Sequence, residues 1–168
     1  MTDKQIEIIE SALIKKVSND GHYKLFSRLI IERWQHQRVR LNSGATEQEL
    51  VDFEKLLSVN LPADFRYFYS LVNGMNDVSD EHLFQLWSLS EITTANEGIT
   101  INEPPFIAKT AIIFWDYLIN SHRYFLVIEN SGDSFVVDDH IFEEKLANSF
   151  THFLELYLTE PEIIHLWI

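Results

Sequence analysis

Residues 45–74 read Ala45-Thr-Glu-Gln-Glu-Leu-Val-Asp-Phe-Glu-Lys-Leu-Leu-Ser-Val-Asn-Leu-Pro-Ala-Asp-Phe-Arg-Tyr-Phe-Tyr-Ser-Leu-Val-Asn-Gly74, and they spell two helices with their starts and stops. Thr46 is the N-cap of the first: its hydroxyl accepts from an orphan backbone N–H, and Glu49, three residues on, reaches back to complete a capping box. Leu50, Phe53 and Leu57 then recur at spacings of three and four, so they share one buried face while Glu47, Asp52 and Lys55 face water. The helix is expected to stop between Ser58 and Asn60, because Pro62 drives Leu61 out of the α region and favours the first position of a new helix. That second helix carries Asp64 in its first turn and an apolar stripe of Phe65, Phe68, Tyr69 and Val72. Asn73-Gly74 supplies a left-handed C-terminal stop.

The 168-residue chain is of single-domain size and 46% hydrophobic, with 12 Phe, 6 Tyr and 4 Trp, so a sizeable core is within reach. Cysteine is absent, which removes thiol nucleophiles, thiolate metal ligands and disulfides, and fits a reducing compartment. The N-terminus lacks the basic and apolar regions of a signal peptide, and no apolar run approaches the roughly 18 residues of a bilayer span. A cytoplasmic protein is expected.

The net charge of -13 is unevenly distributed. Residues 1–40 hold 8 bases and 5 acids, a balance of +3, whereas residues 41–168 hold 5 bases and 21 acids, a balance of -16. The asymmetry predicts an N-terminal helical extension, residues 1–44, packed on an acidic domain of residues 45–168. Within the extension, Ile6, Ile9, Leu13 and Val17 mark a helix over 3–18, and Phe26, Leu29, Ile30 and Trp34 mark another from about Tyr23 to Arg38.

After Gly74, residues 75–82 read as an acidic loop and Leu83 to Trp87 as a short strand. Ser88 to Ile92 reads as a capped helical turn, and Asn96 to Phe106, with Pro104-Pro105, as a surface connection. The strongest β signal lies at Ala111 to Ile119 and Arg123 to Glu129, with hairpin chemistry at Asn130-Ser131-Gly132-Asp133 before Ser134 to Val137. Three adjacent antiparallel strands are predicted. Ala147, Phe150, Phe153, Leu154, Tyr157 and Leu158 mark a last helix ended by Pro161, followed by an apolar tail, Ile163 to Ile168, that packs. The fold class is therefore α+β, an antiparallel-rich sheet flanked by helices.

The order of these parts resembles the SUKH superfamily, which includes the Syd protein and the fungal cell-wall assembly regulators. The matching pieces are Ala45-Thr46-x-x-Glu49-Leu50-x-x-Phe53-Glu54 and Leu61-Pro62-x-Asp64-Phe65-x-x-Phe68-Tyr69-x-x-x-Asn73-Gly74. They continue with Leu86-Trp87-Ser88-Leu89-Ser90-Glu91-Ile92, Phe114-x-Asp116, and Ala147-x-Ser149-Phe150-x-x-Phe153-Leu154. The likeness covers about residues 45–158 and leaves the N-terminal extension unmatched. It implies binding without catalysis: most bacterial members are understood as immunity proteins that neutralise a toxin domain, commonly a nuclease.

A nuclease needs a basic cleft, and an acidic partner can fill that cleft by imitating phosphate. The candidate partner-binding residues are Asp77, Asp80 and Glu81 in the first loop, Asp116 in the strand region, and Asp138 and Asp139 at a strand end, with Trp115 and Tyr117 as second-line aromatic anchors. Any one such acid is more often an ordinary solvated side chain, and a strand-borne aromatic is more often core. The collective acidic excess carries the reading.

No metal site or cofactor is expected. His-x-x-x-His is missing, His152 and Glu155 form a lone i, i+3 pair, and the five glycines lie too far apart for a dinucleotide or phosphate loop. Arg33-Trp34-Gln-His-Gln-Arg38-Val-Arg40 interleaves bases with an aromatic, as nucleic-acid binders do. The field of the molecule opposes that role, and Trp34 is expected to dock the helix instead. Three function classes follow: an immunity protein for a basic toxin domain, a regulatory module for an endogenous partner, and, last, a hydrolase using Asp116 and Asp138 as a carboxylate pair. A toxin gene beside this one would favour the first, and an isolated gene the second.

Overall fold

A computed structural model describes residues 22–75, 84–95, 100–101, 109–117, 122–139 and 144–164. Helix α1, Tyr23–His36, presents Phe26, Ile30, Ile31 and Trp34 as its buried stripe. Strand β1, Leu41–Ser43, follows, and Ala45 N–H donates to the Tyr69 carbonyl at 2.8 Å, anchoring the chain before the next helix. The predicted helix over 3–18, residues 76–82 of the predicted 75–82 loop and most of the 96–106 connection lie outside the described residues, while Met75 ends a strand.

Helix α2, Glu47–Leu57, has the expected capping box: Glu49 N–H donates to Thr46 Oγ1 at 3.2 Å, and Thr46 N–H donates to Glu49 Oε2 at 2.7 Å. It ends on Ser58, whose φ of 54° is left-handed, and Glu54 Oε2 then accepts from Leu61 N–H at 3.0 Å. Helix α3, Ala63–Leu71, starts after Pro62, and Arg66 on it is ion-paired with Glu47 and Glu54 of α2. Phe65, Phe68, Tyr69 and Val72 are all fully buried.

The end of α3 differs from expectation. No left-handed stop follows it; Val72 is extended and the chain runs directly into strand β2, Val72–Met75, which pairs with β1. Gly74 does have a φ of +83°, but inside the strand, and a Cβ there would lie 2.5 Å from the backbone nitrogen of Ser88. Glycine is used here for close backbone approach as well as for its dihedral freedom.

Strand β3, Phe84–Leu86, leads to helix α4, Leu89–Ala95. This helix starts with a second capping box, in which Glu91 N–H donates to Ser88 Oγ at 3.1 Å and Ser88 N–H donates to Glu91 Oε2 at 2.7 Å. Strands β4, Thr100–Ile101, β5, Lys109–Tyr117, β6, His122–Ile128, and β7, Ser134–Asp138, complete an antiparallel sheet in the order β3-β5-β6-β7, with β4 also on β5. Helix α5, Phe150–Thr159, lies against the sheet and α1, and the 3₁₀ turn Pro161–Ile164 buries Ile164.

A register shift between Ile113 and Trp115 on β5 places Phe114 and Trp115 in one core, breaking the period-two alternation. That core gathers buried side chains from α1 through α5 and Tyr124, Leu126 and Val136 of the sheet. Trp34 sits in its middle, with ring centroids of Phe84 and Trp115 at 5.3 and 5.2 Å, and its Nε1–H donates to Tyr157 Oη at 2.8 Å. The other sheet face is a second buried cluster built on Ile113, Phe125, Val127, Phe135 and Val137.

The two positive-φ glycines separate the cost of strain from the cost of crowding. Gly132, at φ +89°, has nothing within 4 Å of a built Cβ, so Gly132→Ala is expected to cost about 1 kcal/mol from backbone strain alone. Gly74→Ala is expected to cost about 2 to 4 kcal/mol, because the β2 backbone must also withdraw from Ser88. Urea midpoints of the two variants check this; equal losses would show that the β2–α4 approach carries no energetic weight.

Candidate partner-binding surface

The acids proposed as a binding surface divide by location. Asp77, Asp80 and Glu81 lie outside the described residues. Asp116 and Asp138 are 4% and 1% exposed, and Trp115 and Tyr117 are buried beside them at 1% and 3%. These four side chains are interior in the isolated chain, because the strands that bear them have both faces covered. Asp139 is half-buried and held by Arg123, accepting from its backbone N–H at 3.0 Å and from Nε at 2.7 Å.

Each buried carboxylate has a structural use. Asp116 Oδ2 accepts from Trp87 Nε1–H at 2.6 Å, and Asp138 Oδ2 lies 3.1 Å from His122 Nδ1. Asp138 is opposite Tyr124, which belongs to the helix-side core, whereas Asp116 is opposite Arg123, the preceding residue of the same strand. Adjacent residues of a strand point to opposite faces, so the two acids are on opposite sides of the sheet. They do not form the carboxylate pair that the hydrolase reading requires.

Burial also fixes the protonation of the core phenols. It raises the Tyr124 pKa far above its usual value, with the nearby Asp138 adding to the effect, and Tyr124 Oη donates to the Ile164 carbonyl at 2.7 Å. Tyr69 is raised by burial and by Glu91, and donates to the Trp87 carbonyl at 2.7 Å. These hydroxyls are neutral donors that tie elements together.

Asp64 was legible in the sequence only as a first-turn acid of α3. In the structure its Oδ1 accepts from Phe65 N–H at 2.8 Å, while Oδ2 accepts from both Thr151 N–H at 2.8 Å and Thr151 Oγ1–H at 2.7 Å. One carboxylate thus serves the first turns of two helices 87 residues apart. It stands at the edge of an open polar cleft of about 430 Å³ whose other lining residues include Glu129, Asp133, Lys145 and Ser149. The Lys145 ammonium lies 4.6 Å over the Phe135 ring.

His152 Nδ1 accepts from Asn148 N–H at 3.1 Å, and among the described residues no three His, Asp or Glu side chains gather to hold a metal. Trp34 docks α1 into the core, while Arg28 of the same helix donates from Nε to Tyr67 Oη at 3.1 Å. No helix among the described residues is long and apolar enough to cross a membrane.

This is an α+β domain with capped helices packed on an antiparallel sheet, its interior acids consumed by structure. Residues 44–156 match the SMI1 / KNR4 family (SUKH-1), and the chain belongs to that family. The family is known for immunity and regulatory roles exercised through protein–protein interaction, and is generally non-catalytic. Comparison with curated proteins gives no match.

Replacing Asp64 tests its bridging role. Asp64→Ala removes one charged acceptor from two helix starts and is expected to lower stability by roughly 2 to 4 kcal/mol, whereas Asp133→Ala, at an exposed position on the same cleft, is expected to stay within about 0.5 kcal/mol of the parent. Urea unfolding measures both; an equal, small loss would show that Asp64 does not couple α3 to α5.

Proposed function

We propose that this chain is an immunity protein: it binds a basic toxin domain, such as a nuclease, and neutralises it by occupying the cleft meant for phosphate. The family match over residues 44–156, with its protein-interaction roles, carries the reading. The charge balance of -16 after residue 40 gives it direction, because complementary charge steers encounter with a positive surface and repels nucleic acid. From residue 41 onward the exposed acids among the described residues are Glu47, Glu49, Asp52, Glu91, Asp133, Glu144, Glu160 and Glu162, against Lys55, Arg123 and Lys145.

In this reading Asp77, Asp80 and Glu81 contribute to the rim of the complex, and Asp139 stands beside Arg123 at the sheet end. Rim charges set the association rate, while affinity comes from buried anchors. The regulatory alternative shares the binding mode and differs in the partner, which would be an enzyme of the same cell rather than a toxin.

Copurification from the native host, followed by association kinetics with the recovered partner, tests the proposal. Association is expected to slow by tenfold or more between about 0.05 M and about 0.5 M salt, and co-expression is expected to rescue cells from the toxin. Replacing Asp77, Asp80 and Glu81 together by Lys is expected to slow association and flatten its salt dependence, with dissociation little changed. A partner of acidic surface, or an association rate indifferent to salt, would contradict the electrostatic mechanism; a non-toxic partner enzyme would favour the regulatory reading.

A further inference from the structure

We infer that the groove between α2 and α4 seats an apolar side chain of a partner protein, with a lysine or arginine one helical turn away lying against Glu49 and Asp52. The inference rests on the protein-binding reading above and assigns that binding a place.

The groove has a volume of about 250 Å³, with Phe53 and Leu56 of α2 on one side and Leu89 and Thr93 of α4 on the other. Small-molecule sites usually occupy about 300 to 1,000 Å³. A smaller, open groove suits one or two side chains of a protein segment, the form that a binding anchor takes. Leu56 is 60% exposed, more than either other exposed large hydrophobic among the described residues, Leu71 at 37% and Ile163 at 46%. Isolated surface leucines are ordinary, but this one borders an apolar groove.

The charge of the lining selects the occupant. Glu49, Asp52 and Leu56 follow one another at intervals of three and four, so they form a single stripe of α2 about 10 Å long. Glu49 and Asp52 are the charged residues of the lining, and both are acids. Glu49 uses Oε2 on its own helix cap and Asp52 uses Oδ1 on Gln48 Nε2, which leaves the second oxygen of each for a cation from outside. An acidic segment would meet both carboxylates unfavourably, and a purely apolar one would leave them partly desolvated without a partner.

The walls are fixed before anything binds. Asn73 Oδ1 accepts from Leu89 N–H at 2.8 Å, and the Asn73 carbonyl accepts from Asn42 Nδ2 at 2.8 Å. The close approach of Gly74 to Ser88 and the capping boxes of α2 and α4 hold both helix starts. A preformed groove spends little conformational entropy on binding.

The experiment is an NMR titration of the ¹⁵N-labelled full chain with three synthetic helical peptides. One carries a leucine stripe flanked by lysines, the second has serine for each leucine, and the third has glutamate for each lysine. The first peptide is expected to shift amides of residues 49–56 and 89–93 saturably, and the other two to bind at least about tenfold more weakly. Asp52→Lys and Leu56→Lys, both exposed and expected to fold, should each weaken the first peptide by about tenfold or more. Thr93→Arg, which narrows the groove from α4, provides the same test should either fail to fold.

Equal binding of the serine peptide would reduce the interaction to bulk charge. Shifts mapping elsewhere, or no saturable shift, would remove the groove as a site. In either case the immunity reading would stand if the native partner still bound with salt-dependent kinetics. A native complex that leaves these amides unmoved would likewise overturn the groove alone.

Discussion

The hydrogen bond from the Trp34 indole to the Tyr157 hydroxyl, made in the interior between residues 123 apart, is the constraint around which the structure is organised. Both rings are among the largest fully buried side chains, and each carries a polar group that must find a partner there. Satisfying one group with the other fixes where α1 crosses α5. Burial raises the Tyr157 phenol above its usual pKa, while the indole hydrogen bond and Arg33 act in the opposite direction. The hydroxyl remains a neutral acceptor. Around this bond, Phe68, Phe84 and Trp115 pack with ring centroids between 5.2 and 6.1 Å from Trp34, so α1, α3, α5 and the sheet share one contact region.

The acidic residues divide between structure and surface. An acid at a strand end or in a first helical turn lies near backbone donors and aromatic N–H groups, and Asp64, Asp116 and Asp138 are all placed there. Asp64 serves two helix starts, while Asp116 and Asp138 hold the Trp87 and His122 rings. The acids of exposed helix faces, Glu49 and Asp52 on α2 among them, stay on the surface that is proposed to meet a partner. A carboxylate's position in the chain therefore decides its role more than its local sequence does, and the same excess of acids serves both the fold and the proposed partner-binding surface.

Local chemistry was legible where it acts over a few residues. Thr46 with Glu49, Pro62, Ser88 and the Asn130 to Asp133 turn each marked an element boundary, because caps and turns depend on neighbours within one helical turn or one hairpin. Asn73-Gly74 does not form the expected helix stop, because a glycine of positive φ fits a helix end and a crowded strand equally well, and only the position of Ser88 distinguishes them. Asp116, Asp138, Trp115 and Tyr117 carried no local sign of their burial. The register shift after Ile113, which turns Phe114 and Trp115 toward one core, is set by tertiary packing, and simple alternation does not anticipate it. Asp64 illustrates the same limit: its partner Thr151 is 87 residues away.

Hydrogen exchange of the Trp34 indole N–H tests the central claim most directly, since that proton reports whether α1 leaves the core without the rest of the fold opening. If the buried bond to Tyr157 organises the structure, the indole proton exchanges as slowly as the slowest backbone amides of β5 and β6, through global unfolding. Exchange at a markedly lower free energy than those amides would show that α1 detaches by itself, and that the core holds together without it.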